Sequence, residues 1–135
     1  MKKIIVTGGL GFIGSNLIEL LLKKNFYVIN IDKSTYSSNF YNTKDFRKSK
    51  KYKFIKLDIA NKKIRKIFMK YKPSGVFNLA AETHVDRSID NPGNFIQSNI
   101  VGVYNLLESF KDFSKRNKSK LIHISTDEVY GDVLT

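Results

Sequence analysis

Residues 3–14 of the chain run Lys-Ile-Ile-Val-Thr-Gly-Gly-Leu-Gly-Phe-Ile-Gly, a short apolar stretch followed by four closely spaced glycines. The apolar part is rich in β-branched side chains and stops at a glycine, which predicts a buried strand. From Phe12 onward, apolar residues recur every three or four positions, which predicts an amphipathic helix. The glycines, in the spacing Gly-x-Gly-x-x-Gly, therefore lie in a tight turn between a strand and a helix.

A turn of this kind is suited to a dinucleotide, because glycines let the backbone approach a pyrophosphate and the helix N-terminus offers it free N–H groups. Asp32 follows Gly14 by 18 residues and closes a second apolar run. A carboxylate there accepts hydrogen bonds from the adenosine ribose and repels a 2′-phosphate, so we expect NAD as the cofactor. Lys33, next to Asp32, is the one feature that would weaken the preference for NAD over NADP. We interpret it as a solvated charge of the loop. A glycine-rich turn without a ligand is the alternative.

Beyond the first turn, apolar runs alternate with helical patterns along the chain. The runs are nearly continuous rather than strictly alternating, which is typical of parallel strands covered on both faces. We therefore predict an α/β fold, a Rossmann-type doubly wound parallel sheet that is truncated after about five strands. The predicted later strands are 26–31, 53–57, 75–79 and 120–125, the later helices are centred on 64–71 and 96–110, and 33–50 is a loop.

Composition limits the function classes. The 135 residues include no cysteine, which excludes a disulfide scaffold, a thiolate zinc site and a cysteine nucleophile. The formal net charge is +12, but only four of the 24 basic residues are arginine, the residue type that reads phosphates and bases in bidentate fashion. We therefore expect a solvated lysine surface, no nucleic-acid partner, no membrane partner, no bound metal and a cytoplasmic location.

Several motifs together carry a resemblance to a known family. They are the glycine turn, Asp58-Ile59, Ala80-Ala-Glu-Thr-His-Val-Asp-Arg-Ser88, Asn99 and Ser125-Thr-Asp-Glu-Val-Tyr-Gly131. The chain resembles the extended short-chain dehydrogenase/reductases of the NAD-dependent epimerase/dehydratase family, and within them the sugar-nucleotide 4,6-dehydratases. The resemblance extends over the whole chain but only over the N-terminal part of family members.

The resemblance implies where the cofactor and the substrate bind. Thr83 and Thr126 match positions that contact the sugar nucleotide. The positions that match NAD contacts are Gly8, Gly11, Phe12, Ile13, Gly14, Asp32, Lys33, Ser34, Thr35, Asp58, Ile59, Leu79, Ala80, Ala81, Glu82, Thr83, Ser98 and Asn99.

The resemblance also implies a reaction, in which a nucleoside-diphosphate glucose, expected to be dTDP-glucose, becomes a 4-keto-6-deoxy sugar nucleotide. Family members oxidise C4, eliminate water across C5 and C6, and return the hydride to C6. Asp127 resembles the general acid that protonates the departing hydroxyl, and Glu128 resembles the general base that removes the proton beside the new ketone. Two adjacent carboxyls in different surroundings can hold the two protonation states at one pH.

The sequence departs from the family in lacking the catalytic Tyr-x-x-x-Lys pair, since the only literal match, Tyr52 to Lys56, lies in a predicted strand. We therefore expect residues 1–135 to be the N-terminal part of an NAD-binding domain without its C-terminal substrate lobe. Alone, such a fragment should be inactive and prone to self-association through Leu121, Ile122 and Ile124 at an open sheet edge. The full-length protein is expected to be a homodimer.

Two alternatives remain open at this stage. One is a sister enzyme on the same fold, an epimerase or a decarboxylase of sugar nucleotides, which shares the glycine turn but generally lacks adjacent Asp and Glu residues after Ser-Thr. The other is a dinucleotide-binding module without chemistry, which the missing Tyr-x-x-x-Lys pair keeps open.

Overall fold

A computed structural model describes residues 1–36, 38–83 and 89–131, without the side chains of Asp127 and Glu128. Within these residues the strands form one parallel sheet in the order β3-β2-β1-β4-β5. This is the first five-strand part of the order typical of Rossmann folds, so the predicted fold class is confirmed. The strands are β1 (Lys3–Thr7), β2 (Tyr27–Asp32), β3 (Tyr52–Lys56), β4 (Gly75–Asn78) and β5 (Lys120–His123).

Helices cover both faces of the sheet. Two short 3-10 helices, Phe40–Thr43 and Asp127–Tyr130, lie in the connections. No helix of the described segments is long and apolar enough to cross a membrane. The α-helices are α1 (Phe12–Lys23), α2 (Ile64–Tyr71), α3 (Pro92–Phe95) and α4 (Val103–Ser114), with a π-helical turn (Ile96–Gly102) that joins α3 to α4 without a break.

The core has two layers because successive residues of a strand point to opposite faces. On one face, Ile4 and Val6 of β1 pack with Ile18 of α1. On the other face, Ile5 packs with side chains of α2 and α4, among them Phe68. The sheet is therefore enclosed on both sides at β1 and β2, which explains why these strands are continuous apolar runs.

The segment 33–50 is more ordered than its polar sequence suggests. It contains the 3-10 helix Phe40–Thr43, and Phe46 is buried beside β2 with its ring 5.2 Å from that of Tyr52. The prediction of an irregular loop was therefore incomplete. Phe46 is the one deeply packed aromatic residue of this segment. It lies between Asp45 and Arg47, so no apolar periodicity indicates that it is buried.

The long helix differs from its sequence pattern in which face is buried. The apolar residues that marked it include Ile96, Ile100 and Leu107, and all three are exposed, Ile100 to 63%. In the π-helical turn the buried residues are the small Ser98 and Gly102, and large apolar residues are buried only further along α4, at Leu106 and Phe113. A Cβ added to Gly102 would lie 2.8 Å from Ile59, so this helix lies too close to the sheet for a larger side chain at that position.

Candidate functional site

A cleft of about 510 Å³ opens beyond the carboxyl ends of the parallel strands. This is where open α/β sheets bind ligands, and the cleft lies at β1 and β4, where the direction of strand order reverses. Its walls come from the glycine turn, the segments that follow β2, β3, β4 and β5, and the π-helical turn. The lining residues are Gly8, Gly11, Phe12, Ile13, Gly14, Ile31, Asp32, Lys33, Thr35, Ser38, Leu57, Asp58, Ile59, Leu79, Ala80, Ala81, Glu82, Thr83, Ser98, Ile124, Ser125 and Thr126.

The glycine turn packs so tightly that three of its glycines leave no room for a side chain. A Cβ at Gly9 would lie 2.2 Å from the buried Asn30 side-chain oxygen. Gly8 has φ +71°, and a Cβ there would lie 2.8 Å from the backbone of Leu79 and Ala80. A Cβ at Gly14 would lie 2.3 Å from the Gly8 carbonyl oxygen, so α1 rests directly on the turn. A Cβ at Gly11 would lie 3.3 Å from the same carbonyl oxygen, a tight contact but less severe than those at Gly8 and Gly14.

Some backbone N–H groups of this turn donate hydrogen bonds within the described part of the chain, and others have no acceptor there. The N–H groups of Gly9 and Leu10 donate to the side chains of Asn30 at 3.1 Å and Asp32 at 3.0 Å, and that of Gly11 donates to the Gly8 carbonyl. The next three, of Phe12, Ile13 and Gly14, meet no acceptor in the described part of the chain. They begin α1 and belong to residues that line the cleft, so their donors and the positive end of the helix suit an anion.

Asp32 has more structural partners than the sequence indicates. One carboxylate oxygen accepts from the Leu10 N–H at 3.0 Å, and the other accepts from the Ser34 N–H at 2.8 Å and the Ser38 hydroxyl at 2.9 Å. The residue is only 8% exposed. Since a carboxylate has about four acceptor positions, roughly one remains for a ligand hydroxyl. Asp32 thus holds the glycine turn and the following loop together while presenting a negative charge to the cleft.

Sequence reasoning missed Asn30, which supports the same turn from below. Its carboxamide is fully buried, accepts from the Gly9 N–H and donates to the Tyr52 hydroxyl at 2.9 Å. Burial raises the pKa of Tyr52, opposed by the Asn30 hydrogen bond and assisted by the charge of Asp32. The sequence did contain a signal, a single amide side chain among the apolar residues of a predicted buried strand. Buried amides are hydrogen-bonded, so Asn30 could have been predicted to have a partner.

Across the cleft, β1, β4 and β5 are joined by side-chain hydrogen bonds at their ends. The Thr7 hydroxyl accepts from the N–H groups of Leu79 and Ala80, both at 3.2 Å, and donates to Asn78 Oδ1 in the side-chain carboxamide. The Asn78 amide nitrogen lies 2.9 Å from His123 Nδ1, which therefore accepts. His123 is exposed, and it is a hydrogen-bonded residue of β5.

The π-helical turn brings Ser98 to the cleft and turns Asn99 away from it. The Asn99 carboxamide binds the backbone of Glu82 twice, accepting from its N–H and donating to its carbonyl, each at 2.9 Å. Ser34 also lies outside the cleft lining, with φ +60° and a buried hydroxyl that has no partner in the described segments. These are the two residues predicted to contact the cofactor whose side chains do not line the cleft.

Lys33 is not the solvated loop charge that we expected. Its ammonium lies 3.3 Å from a carboxylate oxygen of Glu82 and 4.0 Å from one of Asp58, and it also contacts the Ser98 hydroxyl. The four residues come from different elements, so only the folded chain places them together. They form one wall of the cleft.

The predicted substrate and catalytic residues lie on the β5 side. Thr83 and Thr126 line the cleft, as does Ser125. The backbone of Asp127 and Glu128 begins the last 3-10 helix, directly after these residues, while their side chains lie outside the described part of the structure. Residues 84–88, the second half of one family motif, also lie outside it.

Comparisons with known proteins agree with this arrangement. A family model described as GDP-mannose 4,6 dehydratase matches residues 5–135. The dTDP-glucose 4,6-dehydratase of Haemophilus influenzae is 47% identical to the chain, over 98% of the chain and 42% of the relative. The chain thus spans less than half the length of this curated relative.

Two solved structures have the same fold over nearly the whole chain. The dTDP-glucose 4,6-dehydratase of Bacillus anthracis, in complex with NAD, superposes with a TM-score of 0.84 at 35% identity, covering 98% of this chain and 40% of that one. The UDP-glucose 4-epimerase of Thermotoga maritima, with UDP-glucose, superposes with a TM-score of 0.83 at 31% identity, covering 98% and 41%. Backbone similarity alone therefore does not separate dehydratases from epimerases.

Proposed function

The chain belongs to the GDP-mannose 4,6 dehydratase family, and from this premise we propose that it supplies the cofactor-binding part of an NAD-dependent lyase. The substrate is a nucleoside-diphosphate glucose, specifically dTDP-glucose, and the product is its 4-keto-6-deoxy derivative. The nucleotide assignment rests on the curated relatives, since a protein named dTDP-glucose 4,6-dehydratase is 47% identical to the chain.

One observation carries the cofactor assignment. Three consecutive N–H groups, at Phe12, Ile13 and Gly14, have no acceptor among the described residues and open α1 beside a cleft that Asp32 borders from the next strand. The N–H groups suit a pyrophosphate, and the fixed negative charge suits a ribose with a free 2′-hydroxyl. Asp58 and Ile59, after β3, provide the adjoining wall for the adenine ring. The residues present therefore fit NAD.

The chemistry divides between the cofactor and side chains of the chain. NAD, when bound, supplies a reversible hydride acceptor. Asp127 protonates the departing C6 hydroxyl as general acid, and Glu128 removes the C5 proton as general base. Thr83 and Thr126, which line the cleft, hydrogen-bond the sugar. This division is supported by the position of the last 3-10 helix, whose backbone starts where β5 delivers Ser125 and Thr126 to the cleft.

A sugar-nucleotide 4-epimerase is the second candidate, favoured by the similarity to the Thermotoga maritima structure. Epimerisation needs no elimination, so it has no use for a paired acid and base at C5 and C6. The adjacent Asp127 and Glu128 therefore favour the dehydratase. A module that only binds the dinucleotide would make both carboxyls dispensable.

The deciding experiment incubates the complete gene product with NAD and dTDP-glucose, and in parallel with UDP-glucose, and identifies the products by mass spectrometry. A dehydratase releases a 4-keto-6-deoxy sugar nucleotide, 18 mass units lighter than its substrate by loss of water. An epimerase gives an isomer of unchanged mass. NAD binding without any product would favour the binding module.

Variants then test the roles of the two carboxyls. Asp127→Asn and Glu128→Gln should slow elimination more than oxidation at C4, because neither carboxyl takes part in the hydride removal. With dTDP-glucose, such variants should accumulate absorbance at the wavelength of reduced NAD. Unchanged elimination in both variants would remove these residues from the mechanism.

We further propose that the protein forms a homodimer through the long helix. Ile96, Ile100, Tyr104 and Leu107 form an exposed apolar stripe on the helical segment 92–114, with Tyr104 exposed to 67%. A stripe of this kind on a helix indicates a helical partner. Tyr104→Glu should convert a dimer to a monomer in light scattering coupled to gel filtration, whereas Lys111→Glu, on an exposed charged position of α4, should not.

A further inference from the structure

Lys33 occupies a position with consequences for cofactor choice. It directly follows Asp32, and a basic residue close to this acidic position is what accommodates the 2′-phosphate of NADP in dinucleotide-binding folds. On its own, Lys33 would therefore favour NADP and oppose Asp32. Whether it does so depends on where its ammonium group lies in the folded chain.

The ammonium group is held away from that role by three neighbours. It lies 3.3 Å from Glu82 Oε1 and 4.0 Å from Asp58 Oδ2, and it contacts the Ser98 hydroxyl. The Lys33 side chain is 30% exposed and that of Glu82 only 7%. Because the pair is partly desolvated, the attraction is larger than that of a surface ion pair.

Glu82 is itself fixed, so it cannot follow Lys33 into a different position. Its second carboxylate oxygen accepts from the Tyr36 hydroxyl at 3.1 Å. Its backbone N–H and carbonyl both bind the Asn99 carboxamide at 2.9 Å. The carboxylate is therefore a stationary anchor, set by the segment after β4 and by the π-helical turn.

The charges in this part of the cleft do not balance. Asp32, Asp58 and Glu82 all line it, and Lys33 is the one cation among the described lining residues. A 2′-phosphate, with close to two negative charges at neutral pH, would enter a region that is already negative. It would also have to separate Lys33 from Glu82 before gaining a partner.

We propose that Glu82 determines cofactor specificity, selecting NAD over NADP by holding the Lys33 ammonium where a 2′-phosphate cannot use it. This inference rests on the proposed dinucleotide cleft and adds a second determinant to Asp32. The proposed role of Glu82 depends on Lys33. A variant that lacks both residues therefore distinguishes this role from the general loss of one negative charge.

The test measures dissociation constants for NAD and for NADP by calorimetry with the complete gene product and four variants. These are Glu82→Gln, Lys33→Met, the double variant Lys33→Met with Glu82→Gln, and Glu19→Gln. Glu19 is the matched control, since it loses the same charge from an exposed ion pair with Lys23, 2.6 Å away on α1. The quantity compared is the ratio of NADP affinity to NAD affinity.

Glu82→Gln should raise this ratio about tenfold, because Lys33 becomes free to meet the phosphate. Lys33→Met alone should change the ratio less than threefold, the double variant should lose most of the gain, and Glu19→Gln should match the wild type. A ratio in Glu82→Gln that equals the control, or a gain that survives in the double variant, would overturn the inference.

A second variant guards against misfolding of the first. Glu82→Asp keeps the charge but shortens its reach, so it should shift the ratio in the same direction by a smaller factor. An unchanged ratio in a folded Glu82→Asp protein, together with an unfolded Glu82→Gln protein, overturns the inference. If the wild type binds neither nucleotide, the proposed cofactor is wrong and the inference fails with it. If the wild type binds NAD but the affinity ratio is the same in all variants, only the inference fails.

Discussion

β2 and β5 are both short apolar strands that deliver residues to the same cleft, yet their surroundings are opposite. Every residue of β2 after Tyr27 is buried, and Ile29 has no exposed surface. In β5 only Leu121 is partly buried, and Ile122 is 48% exposed. Among the described residues, β2 lies between β1 and β3, whereas β5 pairs with β4 alone.

The difference shows that position in the sheet, rather than the apolar character of a strand, sets its burial. It also separates two roles within the cleft. The β1–β2 side is held by buried hydrogen bonds that Asn30 and Asp32 accept from the glycine turn, so it forms a rigid frame for the proposed cofactor. The β5 side, which carries the proposed catalytic segment, is supported by fewer buried contacts.

The largest expected effect compares equivalent truncations in the two strands. Ile29→Ala should lower the free energy of unfolding by about 4 kcal/mol, because it leaves a cavity in a fully enclosed layer. Ile122→Ala, a matched change in β5, should cost less than about 1 kcal/mol because the side chain is half exposed. Urea denaturation measures both, and equal costs would contradict the contrast between the two strands.

The glycine turn should show the same contrast between a packed and an open environment. Gly8→Ala should destabilise the protein by about 3 kcal/mol, since φ is positive there and the new Cβ would meet the backbone after β4. Gly93→Ala is the control, because its Cβ would lie 3.5 Å from Asn91 and α3 gains a better helix former. It should be neutral or stabilising by up to about 1 kcal/mol. A tolerated Gly8→Ala would show that the turn is less rigid than its packing indicates.

Alkaline pH tests the buried hydrogen bonds on the β2 side. Burial raises the pKa of Tyr52 above its unfolded value of about 10, so its contribution to stability is complete below pH 10 and is lost as pH rises through the folded pKa. Tyr52→Phe should cost about 1 kcal/mol at neutral pH, by removing the partner of Asn30. Above pH 10 it should lose less stability than the wild type.

The control for this experiment lies next to β5. Tyr130→Phe, on a side chain that is 91% exposed, should follow the wild-type curve over the whole range. Stability profiles from urea titrations at a series of pH values decide the matter. If Tyr52→Phe and the wild type lose stability in parallel above pH 10, the burial of the Tyr52 hydroxyl does not govern this range.

The smallest expected effect concerns Ser34, directly after the frame formed by β2. Ser34→Gly should stabilise the protein by about 0.5 to 1 kcal/mol, since glycine adopts the positive φ without strain. Ser119→Ala separates this from the effect of an unpaired buried hydroxyl, because Ser119 has one too but no positive φ. Equal stabilisation in the two variants would assign the effect to the hydroxyl and not to the backbone.

Much of the frame was predictable because it depends on local sequence. The first strand, the turn, α1 from Phe12 and the helix over 64–71 follow from short-range periodicity and from glycine chemistry. Asp32 was also found, because its spacing from the turn is characteristic. The buried face of the long helix was not, since Ser98 and Gly102 are buried where the sequence offered Ile96 and Ile100 as the apolar residues.

By itself, the sequence determined the order of strands and helices, the doubly wound class and the family, because these depend on patterns within about 20 residues. Only the tertiary structure decided the hydrogen bond from the Leu10 N–H to Asp32, the support of Gly9 by Asn30, and the pairing of Lys33 with Glu82. These contacts join residues that are 21 to 49 positions apart, in separate strands and loops. No local pattern encodes them, since a charged or amide side chain finds its partner only after the sheet has brought the strand ends together.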